Sequence, residues 1–225
     1  MEDKLIPLFI FYPLLLFCLS AHESAHAWTA WKFGDDTSKQ LGRITLNPLA
    51  HIDIIGTVFL PLLALMTGAS LIGWGKPVLV DIRNFKNPRR ASLWVAAAGP
   101  ISNLMIATLF ALGLHSLFYF FPHSTMGLET LGPRDLSKDV VGVFTVICYV
   151  GVQINLVLAF FNMIPLFPLD GGTVLRGLLP EAMVSSYDRF SRYSILILLG
   201  LFISGGLRYV WIPVDLVNQI LLPKG

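Results

Sequence analysis

Long apolar stretches alternate with short polar segments along this chain of 225 residues. About 20 apolar residues cross a bilayer as a helix, so four of these stretches predict membrane-spanning helices. They run over Leu5–Trp31, Leu93–Phe121, Val140–Leu169 and Tyr193–Leu207, the last of which can extend to Ile212. With a fifth apolar stretch described next, the pattern predicts an all-α polytopic membrane protein with four to six membrane helices.

The fifth stretch, Ile54–Gly75, is apolar but interrupted by glycines and a proline. It predicts either a re-entrant segment that dips into the membrane and returns, or a full crossing. If it returns, the polar segments Lys32–Asp53, Lys76–Ser92 and Gly171–Arg192 share one side, with eleven of the 16 lysines and arginines. The positive-inside rule makes that side cytoplasmic, which favours the re-entrant path. A full crossing stays open, although it would separate the two basic loops that flank the stretch.

The composition agrees with a membrane location. Hydrophobic residues make up 55% of the chain, charged residues 13%, and the mean hydropathy is +0.69. A soluble domain carries about 25% charged residues, so we predict a single membrane-embedded domain over residues 1–225 with the lipid bilayer as a partner. The net charge of +2 is too small to indicate nucleic-acid binding.

The first apolar stretch contains the sequence His-Glu-Ser-Ala-His at residues 22–26. On a helix, His22 and His26 share one face and can bind one metal ion, while Glu23 can act as a general base. Ionisable groups at the centre of a membrane helix cost about 2.5–3.5 kcal/mol each, so three of them indicate a function. A signal peptide is the alternative, since Ala25-His26-Ala27 has a cleavage-site pattern, but residues 2–4 are acidic rather than basic overall.

A catalytic zinc site needs a third protein ligand, and Asp170 is the best candidate. It is the first charge after thirty uncharged residues, with Pro165 and Pro168 before it and Gly171-Gly172 after it. This pattern predicts a bend that returns the carboxylate to the helices. The alternative is that Asp170 only caps the next helix.

Other polar residues are weaker candidates for the site. His115 lies toward the outer end of its stretch. His51 and Asp53 could line the entrance or hydrogen-bond the site, but they more simply hold a turn together. Asn103 and Asn162 could donate to a substrate carbonyl, and the alternative for both is a hydrogen bond between helices. Arg43–Leu46 alternates between Gly42 and Asn47-Pro48, which predicts a small strand or hairpin near the active site.

Together these motifs resemble the site-2 protease family of intramembrane zinc metalloproteases. The His-Glu-Ser-Ala-His sequence resembles the family's HExxH, and residues 162–172 resemble its N-x-x-P-x-x-P-x-D-G-G motif. Residues 99–103 resemble the G-P-x-x-N sequence of the helix between them. The chain lacks sequences typical of PDZ or CBS modules, so it is similar to the short prokaryotic form.

The resemblance implies one zinc ion on His22, His26 and Asp170, with Glu23 as general base. It implies peptide-bond hydrolysis in or near transmembrane segments of protein substrates, by a core of three helices with a membrane-inserted sheet. The expected location is the plasma membrane of a prokaryote, with the active site in the cytoplasmic half. Two alternatives are a membrane protein that transports or binds metal, and a proteolytically silent homologue, against which the intact Glu23 argues.

Overall fold

The computed structural model of the chain describes residues 2–59, 75–122 and 140–223. Within these ranges the regular structure is helical, with no β-strand. The α-helices are α1 (Glu2–Lys32), α2 (Thr37–Gln40), α3 (Pro88–Phe120), α4 (Val140–Asn162), α5 (Asp170–Leu178), α6 (Glu181–Ser191), α7 (Ser194–Ile203) and α8 (Trp211–Leu221). Single turns of 3-10 helix lie at Pro48–His51, Ile82–Asn84 and Gly206–Val210, and a π-helical turn lies at Ile54–Phe59.

Helices α1, α3 and α4 pack against one another and form the centre of the fold. Small residues on α3 face the neighbouring helices, which lets helix backbones approach closely in a membrane. The core cluster combines Ala107 and Ala111 of α3, Val152 and Leu156 of α4, and Val214 of α8. The core of three helices that the family resemblance implied is therefore present.

Among the described residues, α3 and α4 are each long and apolar enough to cross a membrane. The α7 helix and the segment Gly206–Leu221 pass the same test together, but they are bent by 93° and form a broken span or a re-entrant loop. Helix α1 has 31 residues, or about 46 Å at 1.5 Å per residue, which is enough for the first predicted span. The chain is a multi-pass helical membrane protein, and the number of four to six membrane helices stays a prediction.

The predicted strand or hairpin at Arg43–Leu46 is wrong, because this stretch is irregular. The Ser24 hydroxyl donates to the Thr45 carbonyl and accepts from the Thr45 N–H (3.1 Å). The His51 ring donates to the same carbonyl at 2.9 Å. Side chains, rather than a second strand, thus satisfy this backbone. The sheet that the family resemblance implied has no strand in the described part of the chain.

The prediction for Ile54–Gly75 lies mostly outside the described residues. Its start, Ile54–Phe59, is the π-helical turn, and the Asp53 carboxylate accepts from the N–H groups of Ile55 (3.1 Å) and Gly56 (2.8 Å) at that end. The interpretation of Asp53 as a residue that holds a turn is therefore confirmed, while the path of residues 60–74 stays a prediction.

A buried carboxylate ties the polar loops to the end of α1. Asp35 accepts hydrogen bonds from the Thr37 N–H and hydroxyl (3.2 and 2.6 Å), the Asp81 N–H (2.8 Å) and the Asn84 amide (2.8 Å). Its side chain is fully buried, and a buried carboxylate needs such donors. These bonds fix the end of the irregular segment 75–81 relative to α1, and this segment also contacts the candidate site.

Candidate active site

His22 and His26 lie one turn apart on α1, and both are buried. Their Nε2 atoms converge on the Asp170 carboxylate, with distances to Oδ2 of 3.1 Å for His22 and 3.4 Å for His26. The potential ligand atoms of these three residues all lie within 4.8 Å of one another. The structure thus brings together the three residues that the sequence pattern singled out as ligands.

Asp170 reaches the histidines through a tight turn between α4 and α5. The turn is closed by backbone hydrogen bonds from Leu166 N–H to Ile164 O (2.8 Å) and from Leu169 N–H to Leu166 O (2.9 Å). A side chain at Gly171 would overlap the Ile164 carbonyl, so the chain can turn this closely only with glycine. The N-cap of α5 is Leu169, and Asp170 is the first helical residue, so the alternative role of Asp170 as the cap does not apply.

Helix α6 supports the same turn from outside the three-helix core. The Tyr187 hydroxyl lies 3.1 Å from the carbonyl oxygens of Pro165 and Gly172, on either side of Asp170. Its ring also contacts Phe167, with 6.0 Å between ring centroids. Because Tyr187 follows the motif by 17 residues, nothing in the local sequence pattern links it to Asp170.

The second ring nitrogen of each histidine faces an oxygen of α3. His22 Nδ1 lies 2.5 Å from Asn103 Oδ1, and His26 Nδ1 lies 2.6 Å from the Val95 carbonyl. Both oxygens are acceptors, so each imidazole carries a proton on Nδ1, and in the neutral ring the Nε2 lone pair is directed at the carboxylate. Such an arrangement is typical of metal-binding histidines, whose other N–H donates to an oxygen.

The donor set fits a metal ion. Asp170 Oδ2 is buried and has no hydrogen-bond donor among the described residues, while two nitrogen lone pairs face the same point. Three electron-pair donors repel one another unless a cation lies between them. A proton on one Nε2 would satisfy one pair of atoms, whereas a metal ion satisfies all three atoms at once. Two imidazoles and a carboxylate are ligands that catalytic zinc commonly uses.

Glu23 lies beside the histidines but makes a different contact. Its side chain is partly exposed, and Oε2 accepts a hydrogen bond from the Val78 N–H at 3.2 Å. Two residues earlier, the Lys76 N–H donates to the His51 carbonyl at 2.8 Å. The irregular segment 75–80 therefore lies beside the motif and holds one carboxylate oxygen of Glu23, leaving Oε1 for other partners.

Residues 10–204 of the chain match the family model of Peptidase family M50. The chain belongs to this family. It is 36% identical over 214 residues to YwhC of Bacillus subtilis, covering 91% of this chain and 89% of the relative. It is 32% identical over 133 residues to Rip2 of Mycolicibacterium smegmatis, covering 58% of this chain and 50% of Rip2. Both relatives are named as zinc metalloproteases, and no solved structure matches significantly.

Membership of the M50 family confirms the resemblance to the site-2 proteases and makes the chain a peptidase. The other two histidines considered from the sequence lie away from the three potential metal ligands. His51 is buried and donates to the Thr45 carbonyl, and His115 Nδ1 lies 2.9 Å from the Ala111 carbonyl of its own helix. Neither histidine belongs to the cluster around Asp170.

The two asparagines predicted to assist the reaction differ in position. Asn103 is fully buried and contacts His22, and its amide nitrogen donates to Asn155 Oδ1 at 2.8 Å. Asn162 donates to the Leu158 carbonyl one turn earlier in α4, at 2.9 Å. Asn103 thus contacts the second ring nitrogen of His22, on the side of the ring away from Asp170. A role of either asparagine toward a substrate carbonyl stays a prediction.

Two further residues, Gly99 and Asn155, contact the site in ways that were not predicted from the sequence. Gly99 lies so close to the rings that an added Cβ would be 2.5 Å from His22 Cε1 and from His26 Nε2. Asn155, fully buried on α4, contacts Asn103. A polar amide within the uncharged stretch Val140–Leu169 was a usable signal for Asn155, whereas the ring contact of Gly99 depends on how α1 and α3 pack.

Proposed function

We propose that this M50 peptidase is an intramembrane zinc metalloprotease that hydrolyses peptide bonds in or near transmembrane segments of protein substrates. The observation that supports this most directly is the buried convergence of His22 Nε2, His26 Nε2 and Asp170 Oδ2. Both Nδ1 atoms are already engaged by acceptors, which leaves the three converging atoms as metal ligands. Both relatives are named as zinc metalloproteases, which favours zinc as the ion.

His22, His26 and Asp170 would hold one zinc ion, which would supply Lewis acidity and a reactive water at neutral pH. Asn103 and the Val95 carbonyl orient both imidazoles by accepting from their Nδ1–H groups. Asp170 contributes the negative charge that compensates part of the charge of the cation.

Glu23 is the proposed general base. The Val78 N–H fixes one carboxylate oxygen, so Oε1 is the atom that accepts a proton from the attacking water. The same oxygen then returns the proton to the leaving amine when the peptide bond breaks. A helical substrate has its carbonyls in internal hydrogen bonds, so it must unwind locally before it reaches the site.

The histidine pair lies on α1 close to its polar end. His26 precedes Lys32, the last residue of α1, by about 9 Å of helix. Lys32 begins the basic side of the chain, so we place the active site in the cytoplasmic half of the plasma membrane. The whole chain acts as one membrane-embedded protease domain in this proposal, with the bilayer and a transmembrane protein substrate as partners.

The general base is tested by Glu23→Gln in the full chain reconstituted with a single-span substrate protein. We expect cleavage to be abolished while bound zinc, measured by metal analysis after gel filtration, stays at the wild-type level. Glu181→Gln, the same substitution at an exposed residue of α6, is the control and should cleave normally. Undiminished cleavage by Glu23→Gln would refute the base assignment.

The ligand set is tested separately with His22→Ala and Asp170→Ala. Each removes one of three ligands, so we expect zinc to be lost at micromolar chelator concentrations that leave the wild type loaded. Full retention of zinc by Asp170→Ala would contradict the proposed metal site.

A further inference from the structure

A chain of buried amides connects His22 to the backbone of α4. His22 Nδ1 meets Asn103 Oδ1 (2.5 Å), and Asn103 Nδ2 donates to Asn155 Oδ1 (2.8 Å). Asn155 Nδ2 in turn donates to the Gly151 carbonyl (2.8 Å) and to Cys18 Sγ (3.0 Å). Both asparagines are fully buried, so no solvent competes for these hydrogen bonds.

The orientation of every amide in this hydrogen-bonded series follows from its last acceptor, the Gly151 carbonyl. A backbone carbonyl only accepts, so the Gly151 oxygen requires the NH2 end of Asn155. That places the Asn155 oxygen toward Asn103, which must then present its own NH2 group. The Asn103 oxygen is consequently left facing His22 Nδ1, which must carry a proton.

We propose that Asn155 is a positioning residue that sets the tautomer of His22. If the Asn103 amide were reversed, its NH2 group would face Nδ1, and the proton of a neutral His22 would move to Nε2. That proton would point at Asp170 Oδ2, and Nε2 would have no lone pair for a metal. The other acceptor that orients Asn103, the Cys18 carbonyl, lies at 3.5 Å, which is at the limit of a hydrogen bond.

His26 provides an internal comparison. Its Nδ1 faces the Val95 carbonyl directly, and a backbone carbonyl cannot reverse its polarity. The tautomer of His26 is thus fixed without any side chain, whereas that of His22 depends on an amide that could face either way. Loss of Asn155 should therefore change the tautomer of His22 and leave the tautomer of His26 unchanged.

The tautomer is measured by 15N NMR of the metal-free full chain labelled at histidine, with His22 and His26 assigned by substitution. In Asn155→Leu we expect a population of Nε2–H tautomer at His22 that the wild type lacks. The control is Gln153→Leu, a substitution on the same helix as Asn155 that removes a partly buried amide pair with Asn218 of α8 (3.1 Å). It should leave both histidines in the Nδ1–H form.

Zinc affinity, measured by chelator competition, gives a second readout. Loss of a residue that orients a metal ligand weakens binding about 10–100-fold, which we expect for Asn155→Leu and not for Gln153→Leu. Asn103→Asp combined with Asn155→Leu should restore the Nδ1–H tautomer, because a carboxylate presents an oxygen on both sides. A role of Asn155 in packing alone would not produce this rescue.

An unchanged His22 tautomer and unchanged affinity in Asn155→Leu would overturn the proposal. Asn155→Ala carries the same expectation and replaces the leucine variant if that variant does not fold. The effect on zinc rests on the proposed function, whereas the tautomer is read without metal. Failure of the wild type to bind zinc would therefore count against the proposed function, and an unchanged tautomer would count against Asn155.

Discussion

Gly99→Ala adds one methyl group where α3 faces the metal site. The new Cβ would lie 2.5 Å from His22 Cε1 and His26 Nε2 and 2.6 Å from His22 Nε2. Neither ring can simply turn away, because Asn103 and the Val95 carbonyl hold the Nδ1 atoms from the same helix. We predict that this substitution disables metal binding without unfolding the protein.

The magnitude follows from the overlap. Carbon atoms pack comfortably at about 3.5 Å, so the methyl group is about 1 Å too close to both rings. Metal–ligand distances tolerate only about 0.2 Å, and loss of a mere orienting partner already weakens binding about 10–100-fold. We therefore expect zinc affinity to fall by at least about 100-fold. Overpacking costs about 1–3 kcal/mol, of which alanine's better helix propensity offsets about 0.5–1 kcal/mol.

The assay is chelator competition for zinc on the purified full chain in detergent, with thermal unfolding measured in parallel. Gly200→Ala is the matched control, because a Cβ at that helical position meets nothing within 4 Å. It should bind zinc as tightly as the wild type. If Gly99→Ala kept its zinc affinity within a few-fold of the wild type, the described packing of α3 on the histidines would be refuted.

Two further substitutions test how loops support the site. Tyr187→Phe removes the hydroxyl that braces the turn before and after Asp170. One net hydrogen bond is worth about 1 kcal/mol, so zinc binding, measured by chelator competition, should weaken about five-fold. An unchanged affinity would show that the Tyr187 hydroxyl does not support the position of Asp170. Burial raises the pKa of Asp35, but hydrogen bonds from its neighbours outweigh this and hold the pKa below its usual range. Asp35→Asn should therefore lower the melting temperature at pH 7. The difference should shrink as the pH falls below about 4, where the carboxyl of the unfolded wild-type chain takes up a proton, and it should be lost once the pH passes the lower pKa of the folded state. A difference that does not depend on pH would contradict this account.

The ligands could be predicted from the sequence because their signals are local. His22 and His26 occur four residues apart within a predicted helix, so helix geometry alone places them on one face. Asp170 follows two prolines and precedes two glycines, which marks a break in the helix and a tight turn. These patterns require no knowledge of which helices are neighbours. The convergence of the three side chains is what the structure adds.

Non-local contacts explain the failures. Arg43–Leu46 alternates like a strand, but its backbone groups bond to Ser24 and His51, and no strand lies beside it in the described ranges. Alternation reports that a segment suits a strand, while pairing decides whether one forms. Asn155 was overlooked for a related reason. Its function depends on Asn103, which lies 52 residues earlier in the chain.

Three residues of α3 explain how the metal site depends on helix packing. Val95, Gly99 and Asn103 are spaced by four, so they form one stripe along the helix. Val95 meets His26 and Asn103 meets His22, and since the order is reversed on α1, the two helices run antiparallel. Both imidazoles are thus oriented by one helix, and Gly99 sets how close it comes. A slide or rotation of α3 against α1 would displace both rings together, so substitutions anywhere along this helix contact should change zinc affinity before they change the fold.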